Sequence, residues 1–263
     1  MGQATVRELP QSAKIVYGTA AEYGMFPWQV GVRKVYYYDY FKGKKISAEH
    51  CGGTIINQHW ILSAAHCFDG VPKSKITIRV GDHNHKKDDD YEQEFDAEAI
   101  LMHEYYNSDT YDYDIALVKI SSDDGSGILF NDYVMPACLP SMDTEYRPGT
   151  LCHISGWGKT EHGVSPNVLR KEKVPLLSNN KCRTFYKKRA FTSHMLCAGY
   201  EEGGIDTCQG DSGGPLVCQV DGKYTILGAT SWGNGCGDSG SPGVYAHVRN
   251  LLPWIIDQIK KYN

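Results

Sequence analysis

Apolar residues in this 263-residue chain fall in short runs, such as Trp28-Gln-Val-Gly-Val32 and Ile115-Ala-Leu-Val-Lys-Ile120, separated by turn-forming residues. Runs of that length suit strands, which span a domain in a few residues at roughly 3.3 Å per residue. With 28 glycines and 18 tyrosines, the pattern predicts an all-β body. The C-terminal stretch 251–262 differs, because Leu252, Ile255, Ile256 and Ile259 recur at helical spacing. Asn250 is a plausible cap there and Pro253 suits a first turn, so a closing helix is expected.

Hydrophobic content of 41% permits a sizeable core, and the net charge of −4 lacks the basic footprint of a nucleic-acid binder. No apolar run is long enough to span a membrane. Nine cysteines fit an oxidising compartment better than the cytosol, although spacing alone leaves their connectivity open.

Three stretches carry chemistry. Asp206-Thr-Cys-Gln-Gly-Asp-Ser-Gly-Gly-Pro215 sets Ser212 among glycines, which let a backbone bend sharply and approach a ligand closely. A serine nucleophile needs a base beside it and donors for the oxyanion that forms. His66, after the apolar run Trp60-Ile-Leu-Ser-Ala-Ala and next to Cys67, supplies a candidate base. Asp114, at the head of another apolar segment, completes a His–Asp–Ser chain order that differs from that of subtilisins and α/β-hydrolases. Singly, the serine stretch and the histidine have plainer readings: a surface turn, and one structural histidine among 10.

From Lys14 to the C-terminus the chain resembles the chymotrypsin-fold, trypsin-like serine endopeptidases of the S1 family, most closely the catalytic domain of a multidomain regulatory or clotting-type protease. The resemblance rests on five motifs in order: Ile15-Val-x-Gly18, Ala64-Ala-His-Cys67, Asp114-Ile-Ala-Leu117, Gly210-Asp-Ser-Gly-Gly-Pro215 and Ser231-Trp-Gly233. It implies two packed six-stranded antiparallel β-barrels, joined near residues 135–150, with a C-terminal α-helix and the active site in the cleft between them. Residues 1–14 become the end of an activation segment and 15–263 the catalytic domain. Cutting between Lys14 and Ile15 would free an amino group to pair with Asp211.

The resemblance also assigns roles. His66, Asp114 and Ser212 form the triad, and the N–H groups of Gly210 and Ser212 the oxyanion hole. Ser231, Trp232 and Gly233 hold the substrate strand. Asp206 floors the primary pocket between Gly233 and Gly243 and selects Arg or Lys, and Tyr111 walls the neighbouring subsite. The disulfides become Cys51–Cys67, Cys152–Cys218, Cys182–Cys197 and Cys208–Cys236. Cys138 is left over; in multidomain relatives it bridges to a pro-region, and its plainer reading is a free thiol. No cofactor is required. A structural calcium is implied at 82–92 through Asp82, Asp89 and Glu92 carboxylates and the Asn84 and Lys87 carbonyls, against a solvated acidic loop.

Partners are then protein or peptide substrates with Arg or Lys at the cleaved bond, and protein inhibitors; secretion follows from family and cysteines. The segment 33–45, rich in tyrosine and lysine, reads either as an exosite for an acidic protein or as a hairpin whose tyrosines cover a strand edge. Two alternatives to a regulatory protease stay open here: a digestive trypsin, and a non-catalytic binding module on the same fold.

Overall fold

The computed structural model describes residues 18–41, 43–122, 124–160, 162–187 and 189–262. Two curled β-sheets make up the body. Strands β2 (Gln29–Asp39), β3 (Lys44–Ile55), β4 (Trp60–Ser63), β5 (Ile76–Val80), β6 (Gln93–Met102) and β7 (Ala116–Ile120) close into a barrel of order β2-β3-β4-β7-β6-β5. Closure is possible because nearly every strand sends one face of Val, Ile or Leu inward. Val30, Ile55, Ile61, Ile78 and Val118 are fully buried in its interior. Each such side chain contributes roughly 1.5–3 kcal/mol.

The second sheet holds β1 (Thr19–Ala20), β8 (Leu151–Gly156), β9 (Arg170–Pro175), β10 (Met195–Ala198), β11 (Pro215–Val220), β12 (Lys223–Trp232) and β13 (Gly243–His247), in the order β1-β9-β8-β11-β12-β13-β10. A bridge between Leu176 and Ala198 brings the ends of β9 and β10 together, so six strands curl into a second ring. The two-residue β1 rides on the start of β9. The crossing from the first barrel docks on β12: Cys138 N–H donates to Tyr224 O, and Ile226 N–H donates to Cys138 O (both 2.9 Å).

The short helix α1 (Asn179–Phe185) is capped by Ser178 Oγ, which accepts from Lys181 N–H. The closing helix α2 (Val248–Tyr262) begins three residues before the sequence-based start at 251. It runs straight on from β13, because Val248 is buried and anchors an extra turn. Asn250 is therefore inside the helix, where its side chain donates to Ser193 O (2.6 Å), and Pro253 lies beyond the first turn. Val248, Leu251 and Ile255 pack into the core shared with Trp28, Trp60 and Leu117 of the first barrel, and Leu252 is buried as well. Ile259 packs beside them, whereas Ile256 faces outward at 40% exposure.

The segment 33–45 is a continuation of strands β2 and β3, paired as far as Asp39–Lys44. The pairing of β2 with β5 stops at Lys34–Ile76, so the remainder is a two-stranded ribbon. Tyr36, Tyr37, Tyr38, Tyr40 and Phe41 are exposed on it, so this aromatic set does not serve as a buried cover for the barrel edge.

All four expected disulfides form: Cys51–Cys67, Cys152–Cys218, Cys182–Cys197 and Cys208–Cys236. The model-based entropic contribution of each is roughly 2–4 kcal/mol. Cys138 is a free, exposed thiol. Among the described residues no helix is long and apolar enough to cross a membrane.

Candidate active site

The cleft between the barrels is built from loops held by rigid strands. His66 sits in a single 3-10 turn (Ala65–Cys67) just after β4, between buried Ala65 and buried Cys67. Its backbone N–H donates to Asp114 Oδ1 (2.9 Å), and its Nδ1 lies 2.7 Å from Oδ2. Asp114 is 1% exposed and takes a further hydrogen bond from the Ser231 hydroxyl. A buried carboxylate is costly unless its lone pairs are filled, and here three donors fill them. Because Nδ1 is committed to Asp114, the imidazole's Nε2 is left on the opposite edge.

Ser212 arrives from the second barrel. Its carbonyl accepts from Gly52 N–H (2.7 Å) on β3, so the serine turn is pinned to the first barrel. Cys67 Sγ stands 3.9 Å from His66 Nε2 and 3.7 Å from Ser212 O, which brings the two residues to one locality. The turn needs its glycines. Gly213 has φ +76°, and a Cβ there would meet Ser63 Oγ at 2.2 Å; Gly210 has φ +102° and faces Gly158. Neighbouring N–H groups are engaged internally: Asp211 to Cys208 O, Gly213 to Thr230 O and Gly214 to Asp211 O. Among the described residues those of Gly210 and Ser212 have no acceptor in the protein, which leaves two donors flanking the serine.

Asp211 is 3% exposed and accepts from Gly158 N–H (2.8 Å) and Cys208 N–H (2.9 Å). Burial pushes its carboxyl up to about 6. Lys14 and Ile15, its expected activation partners, lie outside the described residues. Asp206 is also 3% exposed, held by Thr207 N–H (2.8 Å) and Gly237 N–H (3.1 Å). Burial, with a smaller push from Asp211, raises it to about 7. A Cβ on Gly243 would stand 2.7 Å from Asp206 Oδ1, whereas one on Gly233 would meet only Gly235 O at 3.6 Å. Gly243 therefore leaves open the space beside the carboxylate, and a side chain at 233 would have room.

Tyr111 packs edge-on to His66, with ring centroids 5.6 Å apart. Tyr111 and Tyr113 both take left-handed φ, +59° and +53°. Few bulky residues adopt that conformation unless the surroundings enforce it. The enforcement comes from the second barrel. Asp112 Oδ1 accepts from Thr192 Oγ1 (2.6 Å) and lies 3.0 Å from His194 Nδ1, while Tyr113 stacks on His194 at 3.8 Å.

At the expected calcium loop, carboxylate oxygens of Asp82, Asp89 and Glu92 lie within 4.8 Å of one another. Asp82 Oδ1 and Glu92 Oε2 are buried with no hydrogen-bond partner, which fits a hard cation. Side-chain cations compete for it: Arg79 reaches Asp82 (3.7 Å) and Glu92 (3.1 Å), and Lys87 Nζ reaches Asp89 (2.9 Å). The Asn84 carbonyl, an expected ligand, accepts from Lys87 N–H.

Sequence reasoning missed Arg79, the Asp112–His194 tie and the hydroxyl role of Ser231. It also missed Glu49, which lies 3.5 Å from Arg33 and 3.7 Å from His85, and which burial pushes up to about 8. These are contacts between residues far apart in the chain, and alternation along a strand is the only local signal they leave.

Comparison with known proteins agrees with this geometry. The sequence model of the Trypsin family matches residues 15–255. The chain is also similar to Serine proteinase stubble of Drosophila melanogaster, at 37% identity over 255 residues and 94% of this chain. That alignment covers 31% of the Drosophila protein, so the chain spans about a third of that relative's length. The matched residues include the whole cleft described above, and the chain belongs to the trypsin family of serine proteases.

Proposed function

We propose that the protein is a secreted endopeptidase that cuts after Arg or Lys and is made as a zymogen opened between Lys14 and Ile15. The observation that carries the specificity is Asp206. It is a buried carboxylate held by two backbone donors and the Thr207 side chain, all neutral, beside space that a Cβ on Gly243 would fill. A carboxylate so placed is completed by a cationic side chain from the substrate, with Arg able to bind it in a bidentate manner.

In the proposed reaction Ser212 Oγ attacks the scissile carbonyl carbon as His66 Nε2 takes its proton. Asp114 fixes the tautomer through Nδ1 and stabilises the imidazolium. The carbonyl oxygen becomes an oxyanion held by the N–H groups of Gly210 and Ser212, each typically worth about 2.7–4 kcal/mol. The C–N bond then breaks as His66 returns the proton to the leaving amine, giving an acyl-enzyme. Water, deprotonated by His66, attacks the ester and releases the acid and the free serine. Ser231 to Gly233 would hold the substrate backbone as an added strand.

Zymogen control is supported by Asp211, whose burial and raised pKa suit a group awaiting the Ile15 ammonium. Such a pair can select the ordered pocket over a disordered one. Residues 1–14 are assigned to the activation segment and 15–263 to the catalytic domain. The four disulfides support an extracellular setting. The exposed Cys138 and Tyr111 support a regulatory protease with a disulfide-linked pro-region over a digestive trypsin. The Asp82–Asp89–Glu92 trio is assigned a weak structural calcium, opposed by Arg79 and Lys87.

The test is hydrolysis of matched Arg, Lys and Phe peptides before and after cleavage at Lys14. Activity on Arg and Lys that appears only after the cut is the expected result. A preference for Phe overturns the role of Asp206, and full activity before the cut overturns the zymogen switch.

A further inference from the structure

Arg189 lies in the loop between α1 and β10 and places its guanidinium carbon 4.2 Å from the ring centroid of Trp232 and 5.0 Å from that of Tyr111. Tyr111 belongs to the segment that carries Asp114, and Trp232 follows Ser231 at the end of β12, so the cation spans both walls of the cleft. The platform under it is fixed. Trp232 is 8% exposed and packs edge-on against buried Tyr186 at 4.7 Å, and the Arg189 N–H donates to Tyr186 O (3.1 Å). Among the described residues no carboxylate forms an ion pair with Arg189. A guanidinium between aromatic rings has its flat faces covered and its edge N–H donors unspent, and those donors match a carboxylate in geometry.

We propose that Arg189 is a specificity-determining residue that recognises an acidic side chain, Asp or Glu, three or four residues before the cleaved bond. The inference rests on the reading that substrate lies as a strand along Ser231–Gly233 with its cleaved residue over Asp206. A strand so laid runs its upstream residues past Trp232 and under the Arg189 edge. The same charge repels Lys or Arg there. Capping the indole also denies apolar side chains the ring face they would otherwise cover. The order expected at these positions is acidic, then apolar, then basic.

The experiment uses the protein cut at Lys14 and peptides carrying Glu, Phe or Lys at the third and fourth positions before the cut. The panel is made in two versions, with Arg or Phe at the cleaved bond. The wild type should favour Glu over Lys by about tenfold or more in kcat/KM, mainly through KM, the size of one charge-assisted hydrogen bond. Arg189→Gln should bring the ratio near unity and Arg189→Glu should invert it. Lys187→Gln, an exposed neighbour, should leave it unchanged. The preference should also shrink with added salt. A wild-type ratio within about twofold of unity, or one that Arg189→Glu leaves unaltered, overturns the assignment. Cleavage confined to the Phe version would refute the role of Asp206 alone, because the Glu-to-Lys ratio is still measured there.

Discussion

Asp114 and Asp206 are both carboxylates buried in the same cleft, yet they are finished to different degrees. Asp114 takes donors from the His66 backbone, the His66 ring and Ser231. Asp206 is held by the N–H groups of Thr207 and Gly237 and by the Thr207 side chain, all neutral groups, and its pKa is raised to about 7. The first is satisfied before any ligand arrives, so it can hold a ring in place. The second carries an unmet demand for positive charge, and the proposed recognition of Arg or Lys would use that demand. Burial alone does not distinguish a positioning group from a binding group; the kind of donor, an ionisable ring for Asp114 and neutral groups alone for Asp206, does.

The sharpest way to break the contrast is Asp114→Asn. The amide is expected to favour the wrong His66 tautomer and lower kcat by about 10⁴ with KM nearly unchanged. A loss smaller than tenfold in steady-state kinetics would refute the role. Asp206→Asn comes next. Losing the carboxylate of a buried ion pair should cost about 3–5 kcal/mol, or about 10²–10⁴-fold in kcat/KM on Arg peptides. Phe peptides should be nearly unaffected, and an equal loss on both would mean a general disruption of the pocket.

Acidity offers a finer test. In the free enzyme Asp206 is protonated below about pH 7, so Arg substrates should bind more weakly as pH falls through that value. The same shift acts on folding. The folded state holds its proton up to about 7, whereas the unfolded aspartate releases it near 3.8. Folding therefore gains from this group below pH 3.8 and loses that gain progressively as pH rises to about 7. Thermal unfolding of Asp206→Asn should accordingly exceed that of wild type above pH 7 and converge with it in acid; a constant offset would contradict this. The smallest effect is expected at the acidic trio of Asp82, Asp89 and Glu92, where Arg79 and Lys87 already supply positive charge. Calcium should raise Tm by only about 2–4 °C, equivalent to about 1 kcal/mol for a domain of this size. Removing the competitor with Arg79→Gln should enlarge that increment, and no response in either protein would exclude the ion.

Much of this was legible in the chain. Short apolar runs announced the strands, and the motifs around His66, Asp114 and Ser212 located the cleft. Other features were not, for a common physical reason. The hydroxyl of Ser231 meets Asp114 across 117 positions, and Arg189 meets Trp232 and Tyr111 only because two barrels and a loop converge. Glu49 alternates like an outward-facing strand residue but ends against Arg33 and His85. The start of α2 was misread because a cap-like asparagine marked a boundary that the burial of Val248 overrides. Local preference is a weak determinant when a neighbouring apolar residue gains more by packing.

The left-handed tyrosines beside Asp114 carry a consequence for modularity. His66 and Asp114 belong to the same barrel, which invites the idea that this half could be exchanged between paralogues as a unit. Yet the left-handed turn of Tyr111 and Tyr113 is tied across the cleft, where Asp112 grips Thr192 and His194 on the other side. A chimera that kept the first barrel and replaced 192–194 would inherit both residues of the pair without this tie on the turn that precedes Asp114. Recombination within this lineage is thus constrained at Thr192 and His194, two positions outside the barrel that carries the pair.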